Sequence, residues 1–187
     1  MKILIFEGIA TSGKSTIIFT LSSRLSSSMK TIVYEEADTH VPIMKQTEDL
    51  HIDFFEELIG KAVNQGADVV IFDRLYLTQA FRAKASLQDY SGIETLLGQY
   101  QTTTVLLKVD EAAISERVIK ASQHRDSEWA DYIHTKGDMP QEIAEYYAKQ
   151  QNNQLELLKH SKLPYKTFDT TDHNYQNIED TVVAETL

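Results

Sequence analysis

A chain of 187 residues that are 42% hydrophobic and 25% charged has the composition of one globular domain, which we expect to span residues 1–187. Its formal net charge of −10 disfavours nucleic acids and anionic membrane surfaces as main partners, and the absence of cysteine excludes disulfides and thiolate metal sites. No apolar run approaches the roughly 18 residues of a membrane helix, and the first residues lack the features of a secretory peptide. We therefore expect a cytoplasmic protein.

The first predicted element is a buried strand at residues 2–6, and a phosphate-loop pattern follows it directly. Gly8, Gly13, Lys14 and Ser15 satisfy G-x-x-x-x-G-K-[ST] without a mismatch, and a helix-periodic segment at 15–28 comes next. Backbone amides and the helix N-terminus would bind phosphate oxygens, Lys14 would reach the β- and γ-phosphates, and the Ser15 hydroxyl would ligand Mg²⁺. The predicted nucleotide-binding residues of this loop are Gly8, Ala10, Thr11, Ser12, Gly13, Lys14, Ser15 and Thr16.

Strands and helices alternate along the rest of the chain. The further strands are predicted at 30–34, 68–72, 101–109 and 163–168, and the further helices at 47–65, 76–87, 110–122, from Pro140 onward and around 178–183. Residues 124–138 form the least regular part. The alternation predicts an α/β fold with three layers, in which a five-stranded parallel sheet is covered by helices on both faces.

Two of these strand ends carry acidic residues that suit the chemistry of the loop. Asp73 ends the third strand, where an acid in phosphate-loop proteins helps to hold Mg²⁺, although a solvated Asp-Arg pair is the alternative. Glu36 follows the second strand, and we predict that it orients or deprotonates an acceptor hydroxyl. Glu35 or Asp38 could take that role instead.

The polar segment at residues 117–138 is predicted to act as a lid. Arginines delivered by a mobile segment stabilise the charge that develops during phosphoryl transfer, and a closing lid expels water. Arg125, in the irregular stretch, is the better candidate, whereas Arg117 could equally be a solvated helix end. Phe54 or Phe55 could stack a flat ring of the ligand, although such a pair on an amphipathic helix is more often part of the core.

Four segments in this order resemble the thymidylate kinase and deoxynucleoside kinase branch of the P-loop nucleoside and nucleotide kinases. They read EGIATSGKST, VVIFDR, SERVIKASQHRDSE and FDTTD, and they extend over nearly the full length. The resemblance implies ATP with Mg²⁺, lid arginines at Arg117 and Arg125, and an adenine-binding loop at residues 169–172 that includes Asp169 and Thr170. It also implies that members are commonly homodimers.

The same resemblance places Asp73 and Arg74 towards the acceptor, but two departures leave the acceptor open. Thymidylate kinases usually carry an arginine after the second strand, where this chain has Glu35-Glu36-Ala37, and deoxynucleoside kinases usually show Glu-Arg in place of Asp73-Arg74. A neutral acceptor hydroxyl paired with Glu36 is easier to accommodate than a phosphate beside two glutamates.

The sequence therefore predicts an ATP-dependent kinase of a nucleoside or nucleoside monophosphate. A kinase of another small-metabolite hydroxyl and a nucleotide-dependent switch are the alternatives. The predicted catalytic residues are Lys14, Glu36, Asp73, Arg74 and Arg125, and the predicted metal ligands are Ser15 and Asp73.

Overall fold

All five strands join one parallel sheet. The computed structural model describes residues 1–43, 50–124 and 127–187. Its strands are β1 (Lys2–Gly8), β2 (Thr31–Tyr34), β3 (Val69–Asp73), β4 (Gln101–Lys108) and β5 (Tyr165–Asp169). They lie in the order β2-β3-β1-β4-β5, and every neighbouring pair is parallel. The predicted five-stranded parallel sheet is confirmed.

Helices connect the strands and cover both faces of the sheet. Those in the described part of the chain are α1 (Lys14–Leu25), α2 (Glu36–Ile43), α3 (Leu50–Asn64), α4 (Tyr76–Ala83), α5 (Ser91–Leu97), α6 (Glu111–His124), α7 (Ser127–His134), α8 (Pro140–His160) and α9 (Tyr175–Thr186). A short 3₁₀ helix, Leu87–Tyr90, precedes α5. None of the helices in these described ranges has the combination of length and apolar character that crossing a membrane would require.

Alternate residues of β1 pack against two different helical layers. Ile3 and Ile5 belong to a buried cluster with α3, α4 and α5, whereas Leu4 and Phe6 belong to a cluster with α1 and α9. A third cluster joins Ile9, which follows β1, to α6, α7 and α8. Burial on both faces explains why this strand is a continuous apolar run, and it confirms the three-layer α/β/α architecture.

The segment that we predicted to be the least regular contains a helix. Within residues 124–138, α7 places Ile133 in the third core cluster, and Trp129 packs at the edge of that cluster. α7 has only 8 residues, so few apolar positions mark it in the sequence, and tertiary packing of the apolar face stabilises the helix. The prediction of an irregular segment was wrong at this point.

Several other helical segments differ from the prediction. The helix predicted at 76–87 ends at Ala83, because Lys84 adopts a left-handed conformation with φ of 54°. The 3₁₀ helix and α5 that follow were missed, as was α2, which contains Pro42 and therefore reads as a non-helical stretch. The helix predicted at 47–65 begins at Leu50 in the structure, and its first three predicted positions lie outside the described residues.

Candidate functional site

The phosphate-loop residues form a turn that requires glycine at two positions. Gly8 has φ of 143°, and a Cβ atom there would lie 2.4 Å from the carbonyl oxygen of Leu107. Gly13 has φ of 89° at the start of α1, and a Cβ atom there would lie 2.6 Å from the ring of Tyr175. The first amides of α1 have no intrahelical acceptor, so the turn offers them, with the positive end of the helix dipole, to an anion.

Lys14 lies buried at the base of this turn. Its Nζ atom donates hydrogen bonds to the carbonyl oxygens of Gly8 and Ile9, each at 3.1 Å. Burial, together with the nearby charge of Arg74, lowers the pKa of Lys14 to about 8, while Asp73 and other acids oppose the shift. The ammonium group is thus held by carbonyl oxygens that an incoming phosphate can replace.

A cavity of about 450 Å³, which we call the main cavity, opens beside the loop and brings most of the predicted site residues together. Its volume lies in the range of small-molecule sites. The predicted residues that line it are Ala10, Thr11, Gly13, Lys14, Ser15, Thr16, Glu36, Asp73 and Arg74. The lining residues that the sequence did not single out as site residues include Arg82, Trp129, Tyr132, Tyr147, Gln150 and Tyr175. Ser12 is buried beneath the loop rather than in the cavity wall.

Asp73 and Ser15 offer oxygen ligands to a divalent cation. The Oδ1 atom of Asp73 is buried and has no hydrogen-bond partner among the described residues, which is costly for an atom that can only accept. Ser15 is exposed in the same cavity. Within the described residues no group of three or more His, Cys, Asp or Glu side chains could hold a metal. One carboxylate and one hydroxyl are a donor set compatible with Mg²⁺, whose coordination is commonly completed by waters and substrate phosphates.

Glu36 joins two arginines on the other side of the cavity. Its carboxylate accepts hydrogen bonds from Arg74 Nε at 2.8 Å and from Arg82 Nη2 at 3.4 Å, and Arg82 Nη2 also donates to the Tyr132 hydroxyl at 2.9 Å. Arg74 is only 5% exposed, and its Nη1 donates to the Gly8 carbonyl oxygen at 2.8 Å. The Gly8 oxygen therefore accepts from Lys14 and from Arg74, which connects the two halves of the cavity.

The other two acids after β2 have different positions. Asp38 accepts a hydrogen bond from the Glu35 backbone N–H at 2.9 Å and so stabilises the start of α2. Glu35 is exposed and borders a neighbouring depression, but it does not line the main cavity. Glu36 borders both. Among the three candidate bases, Glu36 is the one that lines the main cavity.

Glu7 was not predicted as part of the site, yet it organises the side of the cavity that contains Arg74. The carboxylate is fully buried and accepts from the backbone N–H groups of Leu75 at 2.9 Å and Leu77 at 3.1 Å, and from the Thr78 hydroxyl at 2.5 Å. Thr78 Oγ1 in turn accepts from Arg74 Nη1 at 3.2 Å. Burial raises the pKa of Glu7, and these hydrogen bonds and the Arg74 charge oppose that shift.

Arg117 lies away from the main cavity and joins the phosphate loop to the segment after β5. Its guanidinium donates to the carbonyl oxygens of Thr11 at 3.0 Å and Thr171 at 3.1 Å, and also to that of Thr170. With Lys120 and His173 among other residues, Arg117 lines a second cavity of about 330 Å³. This arrangement places the guanidinium beside the loop rather than at a lid tip.

Asp169 and Thr170 are held in place next to this second cavity. Asp169 pairs with Lys108 at 2.8 Å and accepts from the Thr171 N–H at 2.9 Å, and these hydrogen bonds lower the pKa of Asp169 to about 2. The Thr170 hydroxyl donates to the Lys108 carbonyl oxygen at 3.0 Å. Both side chains therefore shape the segment, and Thr171 and His173, which follow them, line the cavity.

Three further predicted residues complete the comparison with the sequence. Arg125 lies outside the described residues. Phe55 is buried in the core, where its ring contacts Phe72 edge-on, and Phe54 packs against Phe55. The described residues that line the main cavity include neither phenylalanine, so the pair belongs to the core.

Comparison with known proteins identifies a relative in fold. No protein-family model and no curated protein matches this sequence. Among solved structures, the YorR protein from Bacillus subtilis, in complex with phosphorylated GDP, matches with a TM-score of 0.62 and 18% sequence identity. The match covers 97% of this chain and 94% of YorR. The two proteins therefore share one α/β/α fold over almost their whole lengths.

Proposed function

We propose that this protein is a P-loop kinase that transfers the γ-phosphate of ATP to a nucleoside or nucleoside monophosphate. The observation that carries the proposal is a single cavity that joins Lys14 and Asp73 to the ion-paired cluster of Glu36, Arg74 and Arg82. A switch protein needs the phosphate side alone, whereas group transfer needs both sides to meet. The phosphorylated GDP bound to YorR, a protein of the same fold, supports a nucleotide ligand.

On the donor side, the triphosphate lies along the loop amides. Lys14 exchanges its bonds to the Gly8 and Ile9 carbonyls for phosphate oxygens. Ser15 and Asp73 hold Mg²⁺, which neutralises phosphate charge when it is bound. The adenine lies in the second cavity beside Arg117, next to the loop at residues 169–172, of which Thr171 lines the cavity.

On the acceptor side, Glu36 orients the attacking hydroxyl and accepts its proton. Arg74 and Arg82 both pair with Glu36, and Asp73 and Glu7 also act on the charge of Arg74. The two arginines offset the negative charge of Glu36, so both nucleosides and their monophosphates are part of the proposal.

The lid at residues 117–138 closes over the acceptor. Trp129 and Tyr132 on α7 already line the cavity, and Arg125, which precedes α7, stabilises charge on the transferred phosphoryl group in the closed state. A homodimer, as in similar kinases, is part of the proposal, and sedimentation velocity tests it.

The test of this function is a panel of nucleosides, nucleoside monophosphates and common metabolites, each with ATP and Mg²⁺. We expect ADP and a phosphorylated product in equal amounts, and only with a nucleoside or nucleotide acceptor. If only a sugar or an organic acid is phosphorylated, the protein is a kinase of that acceptor and not of a nucleoside or nucleotide. ADP formation independent of any acceptor would identify an NTPase and overturn the proposal.

Asp73→Asn is expected to lower kcat/KM for phosphotransfer by about 10²- to 10³-fold. The amide is a weaker ligand for Mg²⁺, so the Mg²⁺ concentration for half-maximal rate also rises. Because the Asp73 charge also favours the charged forms of the buried Lys14 and Arg74, thermal stability of the ligand-free protein should fall modestly. Asp131→Asn on the exposed face of α7 is the control. Full activity of Asp73→Asn would remove this residue from the mechanism.

The affinity for ADP is expected to fall as the pH rises above about 8. Phosphates bind the charged form of Lys14, whose pKa burial lowers from 10.5 to about 8. Below pH 8 Lys14 is already charged, so the affinity for ADP does not depend on its titration. Above pH 8 Lys14 is mostly neutral in the free protein, and it must take up a proton when ADP binds. Calorimetric titration of ADP at about pH 7 and pH 9, in buffers with different heats of ionisation, measures this uptake. Proton release, or equal affinity at both values, would contradict the assignment.

A further inference from the structure

We infer that Tyr147 and Gln150 on α8 bind the acceptor through hydrogen bonds to its oxygen atoms. The inference rests on the proposed function and adds residues that determine which acceptor is bound. The two side chains lie three positions apart, on one face of α8, and both line the main cavity.

The polar ends of both side chains lack internal partners. Tyr147 and Gln150 are each 2% exposed, and neither the Tyr147 hydroxyl nor the Gln150 Nε2 atom has a hydrogen-bond partner among the described residues. The neighbouring Gln151 is equally buried, but its amide donates to the Val109 carbonyl oxygen at 2.8 Å and accepts from the Val109 N–H at 2.7 Å. The difference between Gln150 and Gln151 is therefore one of pairing and not of burial.

An unpaired buried polar group is unfavourable, and a methionine or phenylalanine would fill the same space without that cost. Two such groups on one wall of a cavity indicate that a ligand supplies their partners. Both can donate a hydrogen bond, so the ligand presents oxygen atoms, either hydroxyls or carbonyls.

The position of these groups selects the acceptor rather than the donor nucleotide. Tyr147 and Gln150 line the main cavity together with Arg74 and Arg82, and neither lines the second cavity beside Arg117. Tyr132, whose hydroxyl accepts from Arg82, borders the same part of the cavity. The oxygens that reach α8 therefore belong to the acceptor, near the end that receives the phosphoryl group.

The test compares Gln150→Met and Tyr147→Phe with the matched control Gln151→Met. Without ligand, we expect the first two variants to melt about 2–4 °C above the wild type and the control to melt below it by a similar amount. The probe is the compound that the wild type binds most tightly among the common nucleosides, the deoxynucleosides and the 5′-monophosphates of both. Its affinity should fall about 10- to 100-fold in Gln150→Met and Tyr147→Phe, while ADP affinity stays within twofold.

Each outcome decides between the inference and the proposed function. A melting temperature that falls in Gln150→Met as it does in Gln151→Met would show that Gln150 has an internal partner, and the inference fails. Unchanged affinity for the probe would also overturn it while leaving the proposed kinase intact. Binding of ADP by the wild type without binding of any panel compound would overturn the proposed acceptor class and, with it, this inference.

Discussion

Replacing Lys14 with methionine is expected to abolish phosphotransfer while making the ligand-free protein more stable. Loss of one preorganised cationic group at a reacting phosphate costs on the order of 10²- to 10³-fold in rate. The fold, in contrast, holds this ammonium buried at a pKa lowered from 10.5 to about 8, a penalty on the order of 3 kcal/mol. Because the carbonyls of Gly8 and Ile9 lose their donor, we expect a net gain of about 1 kcal/mol.

The gain in stability of Lys14→Met over the wild type depends on pH. The folded pKa of Lys14 lies below the unfolded value, so the penalty is complete below about pH 8 and disappears as the pH rises towards 10.5. Lys14→Met should therefore be more stable than the wild type at neutral pH and less stable than it near pH 10 in denaturant titrations, because at high pH only the loss of the hydrogen bonds to Gly8 and Ile9 remains. Lys120→Met, which removes an exposed lysine, is the control. A variant less stable than the wild type at neutral pH would refute the account of a strained lysine.

Glu7→Ala is expected to lower the free energy of unfolding by about 3–5 kcal/mol. The substitution leaves the backbone N–H groups at the start of α4 without an acceptor, and it removes the negative charge closest to the buried Arg74 on the β1 side. It also releases the Thr78 hydroxyl that contacts Arg74 Nη1. Because Arg74 positions Glu36, the KM for the acceptor should rise as well. Urea denaturation and acceptor titrations measure the two effects.

Two further variants test whether the loss of stability comes from the buried hydrogen-bond network of Glu7 or from the removal of any glutamate. Glu7→Gln keeps an oxygen for the α4 amides but presents an NH₂ group towards Thr78, so its loss should be smaller than that of alanine. Glu116→Ala removes an exposed carboxylate that pairs with Lys120, and it should leave the free energy of unfolding almost unchanged. If Glu7→Ala were as harmless as Glu116→Ala, the buried network would not stabilise the fold.

The parts of the site that the sequence predicted are those encoded locally. The phosphate loop needs only a strand, two glycines with unusual backbone angles and a helix start, all within residues 2–16. Asp73 was predicted for the same reason, because it ends an apolar run that had to be a strand. Local pattern therefore determined the phosphate side of the cavity.

The acceptor side depends on contacts between distant segments, and no local pattern encodes it. Arg82 meets Glu36 because the sheet places β2 next to β3, and α4 follows β3. Tyr147 and Gln150 lie on a helix whose periodicity shows that one face is buried, but not that part of this face borders a cavity. The signal for Glu7 was visible as a carboxylate in an otherwise apolar strand, directly before Gly8.

Arg117 shows a different limit. Its place on an amphipathic helix ahead of a polar segment predicted a mobile arginine, whereas the guanidinium binds the carbonyl oxygens of Thr11, Thr170 and Thr171. Carbonyl acceptors belong to every residue type, so sequence cannot reveal such partners. The family resemblance implied a role for Arg117 and a different role for the loop at residues 169–172. Only the three-dimensional structure shows that the two are in contact.

The chain has one tryptophan, and Trp129 stands in the wall of the main cavity. Intrinsic fluorescence excited at long wavelength therefore reports on this pocket alone, without a label or a coupled assay. Since the native chain contains no thiol, a single engineered one can carry a dye that quenches this emission by energy transfer. Closure of the segment around α7 thereby becomes a distance that a stopped-flow instrument can follow in time.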